Sequence, residues 1–308
     1  MQPLPKLGVG LAYQAPLREI FEDHACEFDF TEVVPDIFWT DRGPDVAPRY
    51  LDDTDGVRTV QRIRRVHHVI PHSIGQSIGS AVRFDPQHFA QIRRWWEWLD
   101  FPWHSDHLAF HLAEHQGQRA NAGITLPLAR DRETLDLLIP RIRQIQQEIP
   151  VPFLLENNVD YVVIPDCEMD EPTFLNTLCR ESGCGLVLDL HNLYTNSRNH
   201  HYDPMDILRR LDLSHVGEIH LAGGMELNGF YLDAHSDIPP DEVWKLLEWT
   251  LPRCRNIGGI VFELFGSWVE AVGLARVRDQ LRRMRRLWAH CHGHRDANVS
   301  PLRQARAP

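Results

Sequence analysis

The sequence predicts an α/β protein whose strands and helices close into a (β/α)8 barrel, a TIM barrel. Three observations lead there. Eight short apolar runs alternate with longer amphipathic stretches, the order that pairs strands in parallel through right-handed crossovers. The chain has 308 residues, enough for eight such units to close on themselves. The competing open sheet expects a glycine-rich phosphate turn after its first strand, and "GVG" at 8–10 lacks the rest of that fingerprint.

The expected strands are "LGVGLAY" (7–13), "FDFTEVV" (28–34), "VHHVIPHSI" (66–74) and "WHSDHLAF" (103–110), then "PFLLENN" (152–158), "GLVLDLHN" (185–192), "VGEIHLAG" (216–223) and "GGIVFELF" (258–265). Each is a short apolar or β-branched run, the signature of a strand covered on both faces.

The helices fall between them. "PLREIFEDH" follows the first strand, and the second connection, from Asp41 to Val66, starts as loop and ends as helix. "DPQHFAQIRRWWEWLD" opens on Asp85-Pro86, a capping residue with proline at the first helical position. "DRETLDLLIPRIRQIQQEI" carries Pro140, expected to kink or split it. "DEPTFLNTLCRESG" stops at Gly183, "DPMDILRRLD" again opens Asp-Pro, and "PPDEVWKLLEWTL" and "SWVEAVGLARVRDQLRRMRRLWAHC" complete the set. Acidic residues in "LDDTD" and "EMDE" are read as caps, and Trp95, Trp96 and Trp98 as helix-to-barrel packing. The barrel domain is expected to occupy 1–292 and the polar tail 293–308 to be disordered.

Composition narrows the function. Net charge is −11, which disfavours a general nucleic-acid binder, since such a protein needs cations to displace counterions. The basic strip "RVRDQLRRMRRL" has the spacing of a solvated helix face. No apolar run approaches the roughly 20 residues that span a membrane. The opening "MQPLPKLGVG" has no signal-peptide core, so a cytoplasmic protein is expected. Six scattered cysteines form no CxxC pair and suggest neither a zinc ribbon nor a disulfide framework.

Barrel active sites lie at the C-terminal ends of the strands. Those ends carry His72, His107, Glu156, Asp189, His220 and Glu263. Asp189 and His191 point the same way by strand alternation, Asn192 lies beyond the strand end, and the loop after the seventh strand adds Asp233 and His235. Asp106 and His107 point oppositely if the strand continues that far, so one of them can reach the mouth and the other cannot without a bulge. Basic residues are almost absent from the strand ends. So many carboxylates and imidazoles crowded together repel unless a cation sits between them. Imidazole and carboxylate without thiolate suits iron, manganese or catalytic zinc, and two or three ions bridged by Glu156 or Asp189 account for the number of ligands.

The ordered segments His72…Ser77-Ile78-Gly79-Ser80, Ser105-Asp106-His107-Leu108, Leu155-Glu156-Asn157, Leu188-Asp189…Asn192-Leu193-Tyr194, His220-Leu221-Ala222-Gly223 and Asp233-Ala234-His235 resemble the multinuclear non-haem iron-dependent oxidases, the family of the methanobactin-synthesis oxidase. "LPLARDRETL" (126–135) and "PDEVWKLL" (240–247) are similar to its pattern too, and the resemblance runs from about residue 7 to 270. It implies a barrel holding two or three iron ions (Fe2+/Fe3+), with O2 as co-substrate. It implies oxidation of a residue, cysteine foremost, in a ribosomally synthesised precursor peptide, and a small partner protein that presents the peptide. Carried over, it makes His72, His107, Glu156, Asp189, Asn192, His220, Asp233, His235 and Glu263 metal ligands, with Glu156, Asp189 and His107 at the chemistry and His191 competing with Asn192. Where that family carries an acidic-Asn stretch after its second strand, this chain has "EVVPDIFW", with Glu32 and Asp36 as its acids; after Glu263 it has Leu264-Phe265 in place of Trp-Asp.

Two other readings fit the ligand types. One is a zinc, manganese or magnesium sugar isomerase or phosphodiesterase on a xylose-isomerase-like barrel, although a phosphodiesterase expects rim cations and Arg198 is the clearest candidate. The other is a non-enzymatic metal-binding or scaffold protein, for which "HCHGH" (290–294) is a candidate site.

Overall fold

Sheet formation follows the apolar runs closely. β1 (Gly8–Ala12) and β2 (Phe30–Val33) lead to a hairpin, β3 (Trp39–Asp41) and β4 (Tyr50–Asp52). β5 (His68–Ser73) and β6 (His104–His107) lead to a second, β7 (Phe110–His115) and β8 (Gln118–Leu126). β9 (Phe153–Glu156), β10 (Gly185–Asp189) and β11 (Val216–Leu221) lead to a third, β12 (Gly223–Leu227) and β13 (Phe230–Asp237), before β14 (Gly259–Phe262). Strands β1-β14-β11-β10-β9-β6-β5-β2 form a closed, parallel, eight-stranded barrel, as the sequence predicts. This computed structural model describes residues 2–81, 84–116 and 118–293, so the tail beyond 293 lies outside the described residues.

The helices are α1 (Arg18–Asp23), α2 (Thr54–Arg64), α3 (Pro86–Leu99), α4 (Arg132–Glu148), α5 (Glu171–Ser182), α6 (Leu190–His200), α7 (Pro204–Arg210), α8 (Asp241–Thr250), α9 (Val269–Val272) and α10 (Leu274–His292). Asp53, Asp85, Asp131, Asp170, Asp189 and Asp203 cap α2 to α7, each side chain accepting a backbone N–H of the first turn. The acids of "LDDTD" and "EMDE" thus include caps, as expected. Trp95 and Trp98 are buried in the core. The basic strip lies on α10, where Arg278 and Arg282 pair with Glu27 and Arg285 with Asp29, fastening the last helix near the start of β2.

Four local expectations are corrected. The sixth strand stops at Asp189, and residues 190–192 are the first turn of α6, so the strand alternation drawn through His191 does not apply. A helix cap and a strand end look alike in a sequence when one aspartate serves both. Asp233 and His235 lie on strand β13 and not in a loop. Pro140 does not split α4, which runs unbroken from Arg132 to Glu148 with Leu135, Leu138, Ile139, Ile142 and Ile145 buried on both sides of it. The final helical stretch breaks at Gly273, whose φ of 82° is left-handed.

The lower barrel is filled. Phe30 and Trp103 are fully buried with ring centroids 5.8 Å apart. Gly10 and Gly259 make room for Phe30, since a Cβ at either would meet its ring at 2.5 and 2.4 Å. Side chains two apart on a strand share a face. Glu32 therefore stands one layer above Phe30, and His220 one layer above Glu218, both toward the open C-terminal end.

Candidate metal centre

His107, Glu156 and Asp189 are the last residues of β6, β9 and β10, His72 and His220 the last but one of β5 and β11, and Glu263 directly follows β14. The first turn of α6 adds His191 and Asn192, and β13 folds Asp233 and His235 over the mouth. Sequence reasoning named these residues, and the fold brings them into adjoining groups.

In the first group, Glu156 Oε2 lies 3.0 Å from His72 Nε2 and 3.3 Å from His107 Nε2. The far ring nitrogens are occupied. His72 Nδ1 bonds Ser105 Oγ at 2.8 Å, and His107 Nδ1 donates to the Ser73 carbonyl at 3.1 Å. His107 must therefore present the lone pair of Nε2 to the site.

The second group is Glu156, Asp189, His220 and Glu263, whose nearest atoms all lie within 4.8 Å of one another. Glu156 belongs to both groups. Its Oε1 lies 3.6 Å from His220 Nδ1, which is 3.3 Å from Glu263 Oε2. Asp189 divides its oxygens. Oδ1 caps α6 by accepting from Asn192 N at 2.7 Å, and Oδ2 is buried without a hydrogen-bond partner among the described residues.

The third group is His191, Asp233 and His235. Asp233 Oδ1 lies 2.9 Å from both His191 Nδ1 and His235 Nε2. Here the sequence reading named Asp233 and His235 and left His191 open; the structure places His191 with them, and Asn192 beside Glu156. Asn192 Nδ2 donates to the Asn157 carbonyl at 3.0 Å and reaches Glu156 Oε1 at 3.3 Å, leaving its own carbonyl oxygen without a partner.

Beneath lie two residues that sequence reasoning did not place. Glu32 Oε2 is 3.1 Å from His220 Nε2, and Trp103 Nε1 donates to Glu218 Oε2 at 2.9 Å. The signal for Glu218 was its position two residues before His220 on a strand. Asp36 is elsewhere. It accepts from His88 Nε2 at 2.6 Å, Ser73 Oγ at 2.7 Å and Ile74 N at 3.0 Å. Asp106 points away from the mouth and accepts from its neighbour's backbone at His107 N.

The electrostatics are those of an anionic, buried cluster. Burial opposes charge on His72, but the carboxylates of Glu32 and Glu156 outweigh it and push its pKa up to about 9. His235 is likewise pushed up to about 10, burial being outweighed by Asp233 and Glu263. Burial and then the charges of Glu156, Asp233 and Glu263 hold Asp189 well above the usual carboxylate range. Burial alone opposes ionisation of Glu156, and the imidazoles of His107 and His72 reverse that and hold it well below its ordinary value. His72, His220 and His235 thus act as stand-in cations for a carboxylate set with no Arg or Lys in it, whereas burial pushes the His107 imidazole down and favours its neutral form. His220 Nδ1, Asp189 Oδ2, His191 Nε2 and Asn192 Oδ1 are all buried without hydrogen-bond partners among the described residues. Orphaned polar atoms of this kind are costly unless something binds them. Nitrogen and oxygen donors aimed at shared points, with no thiolate, fit divalent iron, manganese or zinc. Arg198 is engaged elsewhere, with Glu226 and with Tyr194 Oη at 3.0 Å.

Residues 8–265 match the sequence profile described as RiPP precursor modification enzyme MbnB/TglH/ChrH. The chain belongs to this family. The match spans nearly the stretch over which the site motifs carry the resemblance. Relatives of the chain include a UPF0276 protein of Chromobacterium violaceum, 36% identical over 202 residues, covering 65% of this chain and 72% of the relative. A UPF0276 protein of Anaeromyxobacter sp. is 30% identical over 257 residues, covering 83% and 85%. Solved structures share the fold at low identity. D-psicose 3-epimerase from Clostridium cellulolyticum H10 aligns with a TM-score of 0.58 at 11% identity, over 92% of this chain and 99% of that one. A xylose isomerase-like TIM barrel protein from Mycobacterium smegmatis aligns at 0.54 and 14%, over 94% and 97%. The chain therefore shares the TIM-barrel fold of these structures. No helix among its described residues is long and apolar enough to cross a membrane.

Proposed function

We propose that this enzyme is a multinuclear iron-dependent, O2-using oxidase that modifies a residue, cysteine foremost, of a ribosomally synthesised precursor peptide. The observation that carries the reading is Glu156, one carboxylate shared by two groups of nitrogen and oxygen donors. His72, His107 and Glu156 would hold one ion; Glu156, Asp189, His220 and Glu263, with Asn192 beside them, a second; His191, Asp233 and His235 a third. Iron bound there supplies one-electron redox chemistry with O2.

The chain's own residues set the access. The side chains of His72, Glu156 and His220 are at most 4% exposed, while those of His107 and Asp233 are 24% and 23% exposed. A peptide side chain approaching from the mouth meets His107 and Asp233 first, and the buried carboxylates stay away from bulk water. Glu156, Asp189 and His107 are the residues we assign to the chemistry. A small partner protein presenting the peptide, and a cytoplasmic setting, belong to the same reading.

The test uses cysteine-containing peptides encoded beside this gene, incubated with the iron-loaded enzyme and read by mass spectrometry. The reading expects an O2-dependent mass change on cysteine that Glu156→Ala abolishes. Turnover of a ketose or phosphodiester with zinc or manganese, and none of peptide with iron, would replace it with the isomerase or hydrolase reading.

A further inference from the structure

His220 stands between two sets of carboxylates. Its Nδ1 faces Glu263 at 3.3 Å and Glu156 at 3.6 Å, and its Nε2 faces Glu32 at 3.1 Å. A neutral imidazole has one lone pair and one N–H, so it can ligate a cation on one side only and must donate a hydrogen bond on the other. The Nδ1 side gathers four donor residues of the second group, two of them with orphaned buried atoms, Asp189 Oδ2 and His220 Nδ1 itself. On the Nε2 side Glu32, Glu218 and His220 make a smaller group of three donor residues, in which Glu218 Oε2 is tied to Trp103 Nε1 at 2.9 Å and Glu218 Oε1 is buried without a partner among the described residues. We infer that Glu32 is a positioning residue, which accepts the Nε2–H of His220 and so fixes the tautomer that turns Nδ1 to the metal group.

The geometry gives the device rigidity. Glu32 lies on β2 and His220 on β11, on different sides of the barrel, and both are buried to within 2% of full cover. The imidazole is thus held across the barrel interior from strands that are not neighbours. Glu218, bonded to Trp103, fills the space below and leaves Glu32 facing His220. Carboxylates that accept from a metal-bound histidine orient the ring and raise its basicity, and losing them commonly weakens metal binding about 10- to 100-fold.

The inference rests on the metal reading above, and its experiment separates the two. The primary measurement is on the wild-type chain loaded with Zn2+ and labelled with 15N-histidine. Long-range 1H–15N correlation is expected to show His220 with its proton on Nε2; a proton on Nδ1 overturns the inference. The second is Co2+ titration of the metal-free protein, followed by visible absorption. Glu32→Met keeps the volume and removes the acceptor, and is expected to weaken the tighter equivalents about 10- to 100-fold while sparing the group of His191, Asp233 and His235. Glu32→Gln keeps an acceptor oxygen and is expected to restore most of the affinity. Equal affinity in Glu32→Met and wild type overturns the inference, as does equal weakening of every equivalent. Loss of one whole equivalent in Glu218→Gln overturns it too, because it puts an ion on the Nε2 side. A wild type that takes up neither Zn2+ nor Co2+ removes the metal reading itself.

Discussion

His191 Nδ1 lies 2.9 Å from Asp233 Oδ1, although the two are 42 residues apart and on different kinds of element. One is in the first turn of α6 and the other on hairpin strand β13. Because Asp233 also meets His235 at 2.9 Å, the pair completes a third donor group. His191→Ala is expected to remove one metal equivalent, with an affinity loss above the about 10- to 100-fold of an outer-shell partner. Equilibrium dialysis against Fe2+ under anaerobic conditions checks it, and the equivalents held through Glu156 should remain.

Asp189 has two duties that a substitution can separate. Asn caps helices about as well as Asp, while Ala costs about 0.5–2 kcal/mol at such a position. Asp189→Asn is expected to keep the melting temperature of the metal-free protein and to weaken metal binding. Asp189→Ala should lower both. Thermal melts with and without a chelator distinguish the two variants.

Metal should stabilise the fold, because it binds a preformed cluster that the unfolded chain lacks. At a free ion concentration 100 times Kd the gain is about 2.7 kcal/mol per site. Removing metal with a chelator is expected to lower Tm by several degrees, and Glu156→Ala should be insensitive to the chelator at the two groups it joins.

The pair Asp36–His88 gives stability a pH dependence independent of metal. Burial disfavours the Asp36 carboxylate, but the hydrogen bond and charge of His88 prevail and lower its pKa to about 2 from an ordinary 3.8. Its stabilisation is therefore present above about pH 4 and is lost as pH falls toward about 2. His88 is also buried, which opposes its charge, and Asp36 raises its pKa above the ordinary 6.5. Its contribution is full below pH 6.5 and fades as pH rises through the raised value. Asp36→Ala is expected to cost about 3–5 kcal/mol, since it leaves a buried imidazole without its partner. Urea unfolding of the metal-free protein at about pH 3, 5.5 and 9 checks both signs, the difference between wild type and variant being largest at pH 5.5 and smaller on either side.

The barrel was legible because its signal is repetitive. Eight apolar runs and aspartates at helix starts, such as Asp85 and Asp203, report the same alternation, and one misjudged run does not disturb it. The candidate ligands His72, His107, Glu156, Asp189, His220 and Glu263 were legible through their position at strand ends. The hairpins were not. β3–β4, β7–β8 and β12–β13 are short two-stranded ribbons outside the barrel sheet, with many exposed or half-exposed residues, and a ribbon with no buried face carries no strong alternation. The missed start of α6 had the same consequence for His191, which looked like a strand residue until Asp189 proved to cap a helix. Glu32 and Glu218 were obscured for another reason. An acid inside a barrel is read as a strand-edge or surface residue unless its partner, here His220 or Trp103, is known to face it.

The central claim is that Glu156 joins two metal ions at the barrel mouth. The most direct measurement is metal content by mass spectrometry on anaerobically purified protein from iron-supplemented cells, with Glu156→Ala alongside. The account predicts two or more irons per wild-type chain and loss of those held through Glu156 in the variant. Stoichiometric zinc or manganese without iron would contradict the oxidase reading, and a wild type without metal would contradict the site.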